Sequence, residues 1–203
     1  MDGTLIDLNF DNVLWNEELP REYAALHGLD QDSARQLLFD HMEQQTGTIG
    51  YYCLDTWADF TGLDIMALHR AGVDRVVYRE GSVAFLTWLA AQPQQVVLAT
   101  NAHRKSLEFK DAQLGLVQHF DQVVSSHDYQ QVKERPEFWQ TMQRSIGFDP
   151  QRTLFIDDHE GVLQSAQAHG IAHLLCVSRP NSMSDPKTTS QFPLIDDLSS
   201  LIE

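Results

Sequence analysis

From residue 80 onward, the sequence alternates short apolar runs with longer amphipathic segments. The runs have the length and β-branched content of strands, and the segments between them repeat apolar residues at helical spacing. This alternation predicts βαβ units and a parallel sheet that is buried on both faces. The predicted strands are QVVLAT (95–100), DQVVSS (121–126), TLFID (153–157) and AHLLCV (172–177), and the predicted helices are SVAFLTWLAAQ (82–92), HRKSLEFKDAQLG (103–115), RPEFWQTMQRSIG (135–147) and EGVLQSAQAHG (160–170).

The region before residue 80 has a different pattern, with helical segments and no convincing strand between Asp11 and Val73. Helices are predicted at residues 19–28, 32–45, 51–62 and 64–72. We therefore predict an α/β protein whose core is a Rossmann-like parallel sheet with an inserted all-α unit. The predicted core comprises residues 1–10 and 80–203, and the predicted insertion comprises residues 11–79.

The formal net charge of −15 over 203 residues restricts the partners of this chain. Binding to nucleic acid or to an anionic membrane surface requires clustered Lys and Arg, so we expect neither partner. For the same reason, a site for an anion must be built locally from backbone N–H groups, a lysine or a metal.

The two cysteines, Cys53 and Cys176, are too few and too apolar in their surroundings to predict a disulfide framework or a zinc site. We expect both to be buried free thiols, as in a reducing cytoplasm. The sequence contains no basic-plus-apolar leader and no apolar run of about 18 residues. A cytoplasmic protein is therefore expected.

Polar residues follow the predicted strands at their carboxyl ends, which is where open parallel sheets bind ligands. Taken singly, each residue has an ordinary explanation as a turn, a helix N-cap or a solvated charge. Adjacent carboxylates, however, repel each other and favour a nearby cation. The candidates are Thr100 and Asn101 after the first strand, Lys133 after the second, Asp157 and Asp158 at the third, and Asp2 in the turn MDGTL (1–5).

Four short motifs in this order resemble those of the haloacid dehalogenase superfamily of phosphohydrolases. They are DGTL (2–5), LATN (98–101), Lys133 and FIDD (155–158). The helical stretch between the first and second motifs resembles the cap that this family inserts there. Within the family, the stretches MDGTLIDLNFDNVLWNEELP (1–20), YYCLDTW (51–57), LATNAH (98–103) and RTLFIDDHEGVL (152–163) look like bacterial purine 5′-nucleotidases that act on GMP and IMP.

The resemblance implies a Mg²⁺-dependent phosphatase that hydrolyses a small-molecule phosphate monoester, here GMP or IMP, through an aspartyl-phosphate. Metal and lysine together would supply the charge stabilisation that phosphoryl transfer needs. By resemblance to the motifs, Asp2 is the general acid and base and also ligates Mg²⁺ through its backbone carbonyl. Thr100 and Asn101 bind the phosphoryl oxygens, and Lys133 neutralises their charge. Asp157 and Asp158 are the carboxylate ligands of Mg²⁺.

The sequence departs from the family at its first motif, which reads Asp-x-Asp-Gly-Thr. The nucleophilic aspartate belongs two positions before Asp2, and thus before Met1. The strand that carries it is central in the family's sheet, so a gap among the four predicted strands is expected. The chain as given is predicted to form no aspartyl-phosphate. Three explanations are open: a sequence that starts at an internal methionine, a truncation that folds with a replacement strand or partner, or a pseudoenzyme.

Two functions other than a purine nucleotidase are also open, namely an inactive module that binds phosphate and a phosphatase for another small metabolite, such as a sugar phosphate. Dehalogenation is disfavoured, because Asp157 and Asp158 indicate a metal site that the family's metal-independent dehalogenases lack.

The residues that select the substrate are not predicted, and neither is the oligomeric state. Aromatic residues of the insertion either stack on a base or form its core. They are Phe10, Trp15, Tyr51, Tyr52 and Trp57. The polar residues Asn9, Asp11 and Asn12 either contact substrate or cap a helix. The stretch SRPNSMSDPKTTSQFP (178–193) is predicted to be a surface loop.

Overall fold

Two parallel sheets form the α/β part of the protein in the computed structural model, which describes residues 1–202. The first sheet pairs β1 (Val97–Thr100) with β2 (Gln122–Ser125). The second pairs β3 (Leu154–Asp157) with β4 (His173–Val177), and β4 with the two-residue β5 (Leu194–Ile195). All four predicted strands are confirmed, each to within two residues at either end. Strand β5 was missed, because two residues are too few to show a period.

The two sheets are separate, because β1 and β3 share no pairing within residues 1–202. A cavity of about 890 Å³ lies between them and is lined by residues of both strands, including Leu98 and Ile156. The first motif predicted a gap among the strands, and in the structure the gap lies between β1 and β3. Even so, Thr100 at the end of β1 and Asp157 at the end of β3 line a common second cavity at the sheet edge.

The N-terminal part of the chain is helical, as predicted. A π-helical segment, Leu14–Glu18, joins the first two helices into one continuous rod. The residues 9–18 were missed as a helix because Asn and Asp favour turns and caps over helix interiors. The helices are α1 (Asn9–Val13), α2 (Leu19–His27), α3 (Gln31–Gln45), α4 (Leu54–Thr61) and α5 (Ile65–Ala71), with 3₁₀ turns at Ile49–Tyr52 and Val73–Arg75.

The four helices predicted after residue 80 are confirmed, and a fifth, the four-residue Ser126–Tyr129, was not predicted. They are α6 (Ser82–Leu89), α7 (Arg104–Leu114), α8 (Ser126–Tyr129), α9 (Pro136–Ile146) and α10 (Glu160–His169), with 3₁₀ turns at Val117–His119, Pro150–Arg152 and Leu198–Leu201. The stretch 178–193 contains neither helix nor strand, as expected. Within residues 1–202, no helix has both the length and the apolar character needed to cross a membrane.

The main apolar clusters of the helical part and the sheet part are distinct, and a small cluster around Phe10 and Leu14 lies between them. Leu19, Leu38 and Trp57 belong to a buried cluster formed only by helices from the first 68 residues. Leu98 and Leu107 belong to a different cluster, built around β1 and its neighbours. Separate cores are consistent with a helical unit inserted into an α/β core, and the exact boundaries at residues 11 and 79 stay a prediction.

The turn at residues 1–7 is held firmly in place. The carbonyl oxygen of Met1 accepts hydrogen bonds from three N–H groups of the turn, at 2.8 to 3.2 Å. The buried guanidinium of Arg79 donates to the carbonyl of Thr4 at 2.9 Å and to two carbonyls of the C-terminal segment at 2.8 and 3.0 Å. The backbone that carries Asp2 is therefore fixed from both sides.

Candidate active site

The six candidate residues line one cavity of about 600 Å³ between the helical part and the sheet edge. The ends of β1 and β3 position four of them, the loop between α8 and α9 positions Lys133, and the N-terminal turn positions Asp2. Small-molecule sites commonly have volumes of about 300–1,000 Å³. The structure thus brings together the whole predicted set, which is Asp2, Thr100, Asn101, Lys133, Asp157 and Asp158.

A buried ion pair joins Lys133 to the end of β3. Lys133 Nζ donates to Asp157 Oδ2 at 2.6 Å, and the two side chains are only 6% and 4% exposed. Burial alone would favour the neutral forms. The mutual attraction nevertheless raises the pKa of Lys133 and lowers that of Asp157. Both groups are therefore charged at neutral pH, and the Lys133 ammonium is part of the cavity lining.

The neighbouring carboxyl, Asp158, lies against the glycine of the first motif. Burial, and then repulsion from Asp157, raises the pKa of Asp158 to about 6. Gly3 has a φ of +68°, and a Cβ at this position would lie 2.5 Å from Asp158 Cγ. The close approach of turn and carboxylate thus requires glycine, both for its left-handed backbone and for its missing side chain.

We expect Gly3→Ala to destabilise the fold and to displace the Asp158 carboxylate. The left-handed backbone alone costs about 1–2 kcal/mol for an L-residue. The contact at 2.5 Å adds to this, because the Asp158 side chain must move. Chemical denaturation and isothermal titration with Mg²⁺ would measure the loss of stability and the loss of metal affinity.

Gly28→Ala is the matched control, since Gly28 has a φ of +65° and no atom lies within 4 Å of the place that an alanine methyl would take. It should lose stability through the backbone alone and keep its affinity for Mg²⁺. Equal Mg²⁺ affinity in the two variants would contradict the role assigned to the contact between Gly3 and Asp158.

A second buried lysine holds Asp2. Lys110 of α7 is fully buried, and its Nζ donates to Asp2 Oδ1 at 2.7 Å and to both carboxylate oxygens of Asp11 at 2.8 and 2.9 Å. The ammonium also lies 4.9 Å from the ring centroid of Phe10. Asp11, for which the sequence left two roles open, is therefore a partner of Lys110.

Lys110, Asp2 and Asp11 lie close together, and their interactions shift the pKa values of the two carboxyl groups in opposite directions. Burial tends to raise the pKa of Asp2, but the Lys110 ammonium outweighs it and lowers the pKa. Burial, and then the charge of Asp2, raises the pKa of Asp11 to about 6. Asp2 is therefore held ionised and oriented, while Asp11 can hold a proton close to neutral pH.

Asn101 connects the end of β1 to the loop that carries Lys133. Its Oδ1 accepts the backbone N–H of Lys133 at 2.9 Å, and its Nδ2 donates to Glu134 Oε2 at 2.9 Å. Tyr52 of the helical part donates its hydroxyl to Glu134 Oε1 at 2.6 Å. The hydroxyl oxygen of Thr100 accepts the N–H two residues farther along the chain at 3.0 Å. This chain of bonds ties the helical part to the sheet edge.

The aromatic residues fall into two groups, which settles part of the question that the sequence left open. Phe10 and Trp57 are 1% exposed and belong to apolar clusters, so they are core residues. Trp15, Tyr51 and Tyr52 are partly exposed and line the cavity. These three are the aromatic surfaces that a bound molecule can reach.

Sequence reasoning missed Lys110, Glu134 and Arg79 as residues that build the site. Lys110 lies at helical spacing from Leu107 and Leu114, on the apolar side of α7. A lysine among apolar residues on one helix face indicates a buried charge that needs a partner, and this sequence signal could have identified it. Glu134 has no comparable signal beyond its position next to Lys133.

The donors present in the cavity fit a hard divalent cation. Asp157 is a buried carboxylate and Asp158 is a partly buried one next to it, and of the two side chains only that of Asp157 pairs with Lys133. The raised pKa of Asp158 reflects its burial and then the negative charge of Asp157. Oxygen ligands of this type suit Mg²⁺, which the residues present would therefore accommodate.

The family of this chain follows from comparison with known proteins. A family model described as haloacid dehalogenase-like hydrolase matches residues 1–176. The chain belongs to this family. The four motifs that resemble the haloacid dehalogenase superfamily lie within the matched residues.

Relatives and solved structures agree with this assignment. The chain is 36% identical over 202 residues to the GMP/IMP nucleotidases YrfG of Escherichia coli K12 and Shigella flexneri, covering 100% of this chain and 91% of each of those proteins. A HAD phosphatase from Thermococcus onnurineus superposes with a TM-score of 0.80 at 16% identity, covering 99% of this chain and 93% of that one. The HAD hydrolase YfnB from Bacillus subtilis, bound to magnesium, has a TM-score of 0.67 at 16% identity, with 99% and 93% covered. The two superpositions establish the fold.

Proposed function

We propose that this protein is a Mg²⁺-dependent phosphatase that hydrolyses purine nucleoside 5′-monophosphates such as GMP and IMP through an aspartyl-phosphate. The main support is the single cavity that combines Lys133, the adjacent carboxylates of Asp157 and Asp158, and accessible aromatic rings. The 36% identity to GMP/IMP nucleotidases supports the class of substrate. The proposal requires an aspartate two positions before Asp2, where the family's motif has its nucleophile.

In the first half-reaction, the nucleophilic carboxylate attacks phosphorus and the bond from phosphorus to the ester oxygen breaks. Asp2 gives its proton to the leaving oxygen. In the second half-reaction, water attacks phosphorus, Asp2 accepts a proton from that water, and inorganic phosphate leaves. The ion pair with Lys110 favours the ionised Asp2 needed in the second half. A phosphoryl anion beside Asp2 raises its proton affinity in the first half.

The carboxylates of Asp157 and Asp158 and the backbone carbonyl of Asp2 would hold Mg²⁺. When bound, the cation supplies charge neutralisation for the phosphoryl oxygens. Lys133 contributes a second positive charge, and the Thr100 hydroxyl orients the phosphoryl group. These local cations overcome the net charge of −15, which would otherwise repel a nucleotide.

Residues 11–79 are proposed to act as a cap that closes over the substrate and contacts its leaving group. Trp15, Tyr51 and Tyr52 present rings to the cavity, and a purine offers a flat surface on which such rings stack. Tyr52 also bonds Glu134, so closing of the cap and ordering of the phosphate-binding loop are linked.

We expect phosphate release from GMP and IMP at a higher kcat/KM than from pyrimidine nucleotides, sugar phosphates or an aryl phosphate. The measurement is a phosphate-release assay with Mg²⁺ on a protein that carries the motif's first aspartate. A higher kcat/KM for a sugar phosphate would contradict the proposed purine substrate but would still support phosphatase activity. An absence of release from every substrate would contradict both and favour a phosphate-binding module.

Removal of divalent metal should lower turnover by at least roughly 10²-fold, because the metal supplies several kcal/mol of charge stabilisation. Activity would be measured after chelation and again during titration with Mg²⁺. Asp158→Asn should raise the Mg²⁺ concentration needed for half-maximal rate. The exposed Asp149→Asn serves as the control and should leave that concentration unchanged. Full activity in chelator would rule out the metal-dependent route.

A further inference from the structure

A cluster of metal-binding side chains lies beside the candidate active site and takes no part in the chemistry described above. Cys53, His103 and His127 each bring one ligand atom into a group whose members all lie within 4.8 Å of one another. Cys53 directly precedes α4 in the helical part. His103 caps α7 after β1, and His127 lies in α8 after β2. Three separate segments thus converge on one point.

The hydrogen bonds of the two histidines differ in what they leave for a metal. His103 Nδ1 accepts the backbone N–H of Lys105 at 3.2 Å, which places the proton of the neutral ring on Nε2. Metal ligation through His103 Nε2 therefore requires the proton to move to Nδ1 and this cap bond to break. His127 Nδ1 lies 3.5 Å from the hydroxyls of Ser125 and Ser126. Within residues 1–202, His127 Nε2 is buried and has no hydrogen-bond partner. A buried polar atom without a partner is unfavourable, and a metal bond would satisfy it.

The protonation states suit metal ligation. Burial, and then the nearby His103, lowers the pKa of His127 to about 4. Burial also lowers the pKa of His103. Both rings are therefore neutral at pH 7, which is the form that binds a metal. Asp55 Oδ2 lies 3.7 Å from His103 Nε2, next to the three-residue group, and Asp55 Oδ1 pairs with Lys105 at 2.5 Å. Ligation by Asp55 would exchange its pairing with Lys105 for the metal.

We propose that Cys53, His103 and His127 form a binding site for a transition metal of the zinc class, with Asp55 as the fourth ligand. One thiolate and two imidazoles are the donor set that Zn²⁺ prefers. A tetrahedral zinc site needs ligand atoms about 3.3–3.6 Å apart, so the present cluster requires an approach of roughly 1 Å. On binding, the Cys53 thiol releases its proton to solvent.

This site is distinct from the Mg²⁺ site, because sulfur and nitrogen donors select a softer metal than carboxylates do. The expectation that Cys53 is a buried thiol and serves no zinc site rested on the number of cysteines and on their apolar neighbours in the sequence. Cys53 is only partly buried, and its two histidine neighbours lie 50 and 74 residues away in the sequence. A bound metal would cross-link the helical part to two strand ends. Since His103 also lines the candidate cavity, the metal would fix one part of its wall.

Cobalt binding followed by absorption spectroscopy tests the site. Metal-free, tag-free, reduced protein would be titrated with Co²⁺ in excess Mg²⁺. We expect one equivalent to bind with a thiolate-to-cobalt charge-transfer band and the intense visible bands of tetrahedral cobalt. Zn²⁺ should displace the cobalt and raise the thermal midpoint. The spectrum is independent of phosphatase activity, so failure of the proposed function would leave this test unaffected.

Two sets of variants complete the test. Cys53→Ser should abolish the charge-transfer band, and His103→Gln should weaken Co²⁺ binding by at least about tenfold. Cys176→Ala, which changes the other cysteine, and Asp157→Asn, which changes the Mg²⁺ site, should retain the band. Absence of the band in the unaltered protein would overturn the proposal. So would a band that survives in Cys53→Ser or disappears in Asp157→Asn.

Discussion

Lys110→Met is expected to lower the free energy of unfolding by about 3–5 kcal/mol, as removal of one partner from a buried ion pair does. Lys110 is fully buried and holds Asp2 and Asp11 at 2.7 to 2.9 Å. Methionine fills a similar volume, so the loss arises from charge rather than from a cavity. The partly buried carboxylates of Asp2 and Asp11 are left without a cation, which favours uptake of a proton by one of them.

Turnover should fall with the same substitution, by roughly 10²-fold or more, because Asp2 loses the contact that orients and ionises it. Denaturant titration and phosphate release would be measured on the same preparations. Lys105→Met is the matched control, since Lys105 lies on the same helix and its side chain is 52% exposed. It should change neither quantity appreciably.

A double variant separates the electrostatic explanation from simple loss of packing. Asp11→Asn removes one of the two carboxylates that Lys110 neutralises, so Lys110→Met combined with Asp11→Asn should be more stable than Lys110→Met alone. Additive losses from the two substitutions would show that Lys110 and Asp11 do not interact energetically. That result would contradict the charge balance inferred for this triad.

The strands and most helices could be predicted because their signals are local. Each of the four longer strands is a short apolar run, and its last residue lies at the sheet edge where ligands bind. Thr100 and Asp157 could be identified on this basis alone. Residues 9–18 could not, because polar Asn and Asp residues interrupt the apolar spacing around Phe10 and Leu14.

Contacts between segments far apart in the sequence could not be predicted from local sequence patterns. Lys110 meets Asp2 and Asp11 across separations of 108 and 99 residues, and this depends on how the helical part packs on the sheet. The same holds for the bond from Tyr52 to Glu134, which spans 82 residues. Motif resemblance identified the residues at the strand ends. It did not identify the residues that position them.

Under the proposed function, Lys133→Met is expected to reduce kcat by roughly 10²–10³-fold, since Lys133 would stabilise charge on the transferred phosphoryl group. It should also destabilise the protein in the absence of metal, because Asp157 is 4% exposed and would lose its counter-ion. Phosphate release and denaturant titration would measure the two effects, again with Lys105→Met as the control. A kcat within about threefold of the unaltered protein would contradict the role.

The affinity for Mg²⁺ distinguishes loss of catalysis from loss of structure in this variant. Lys133 Nζ donates a hydrogen bond to Asp157 Oδ2 at 2.6 Å, so Lys133 and a metal compete for the same carboxylate. Lys133→Met should therefore bind Mg²⁺ at least as tightly as the unaltered protein, although it turns over more slowly. Mg²⁺ should also restore much of its lost stability, because the cation takes over the charge balance of Asp157 and Asp158. Weaker Mg²⁺ binding in a folded Lys133→Met protein would mean that the lysine organises the acidic site, and the separation of roles between lysine and metal would fail.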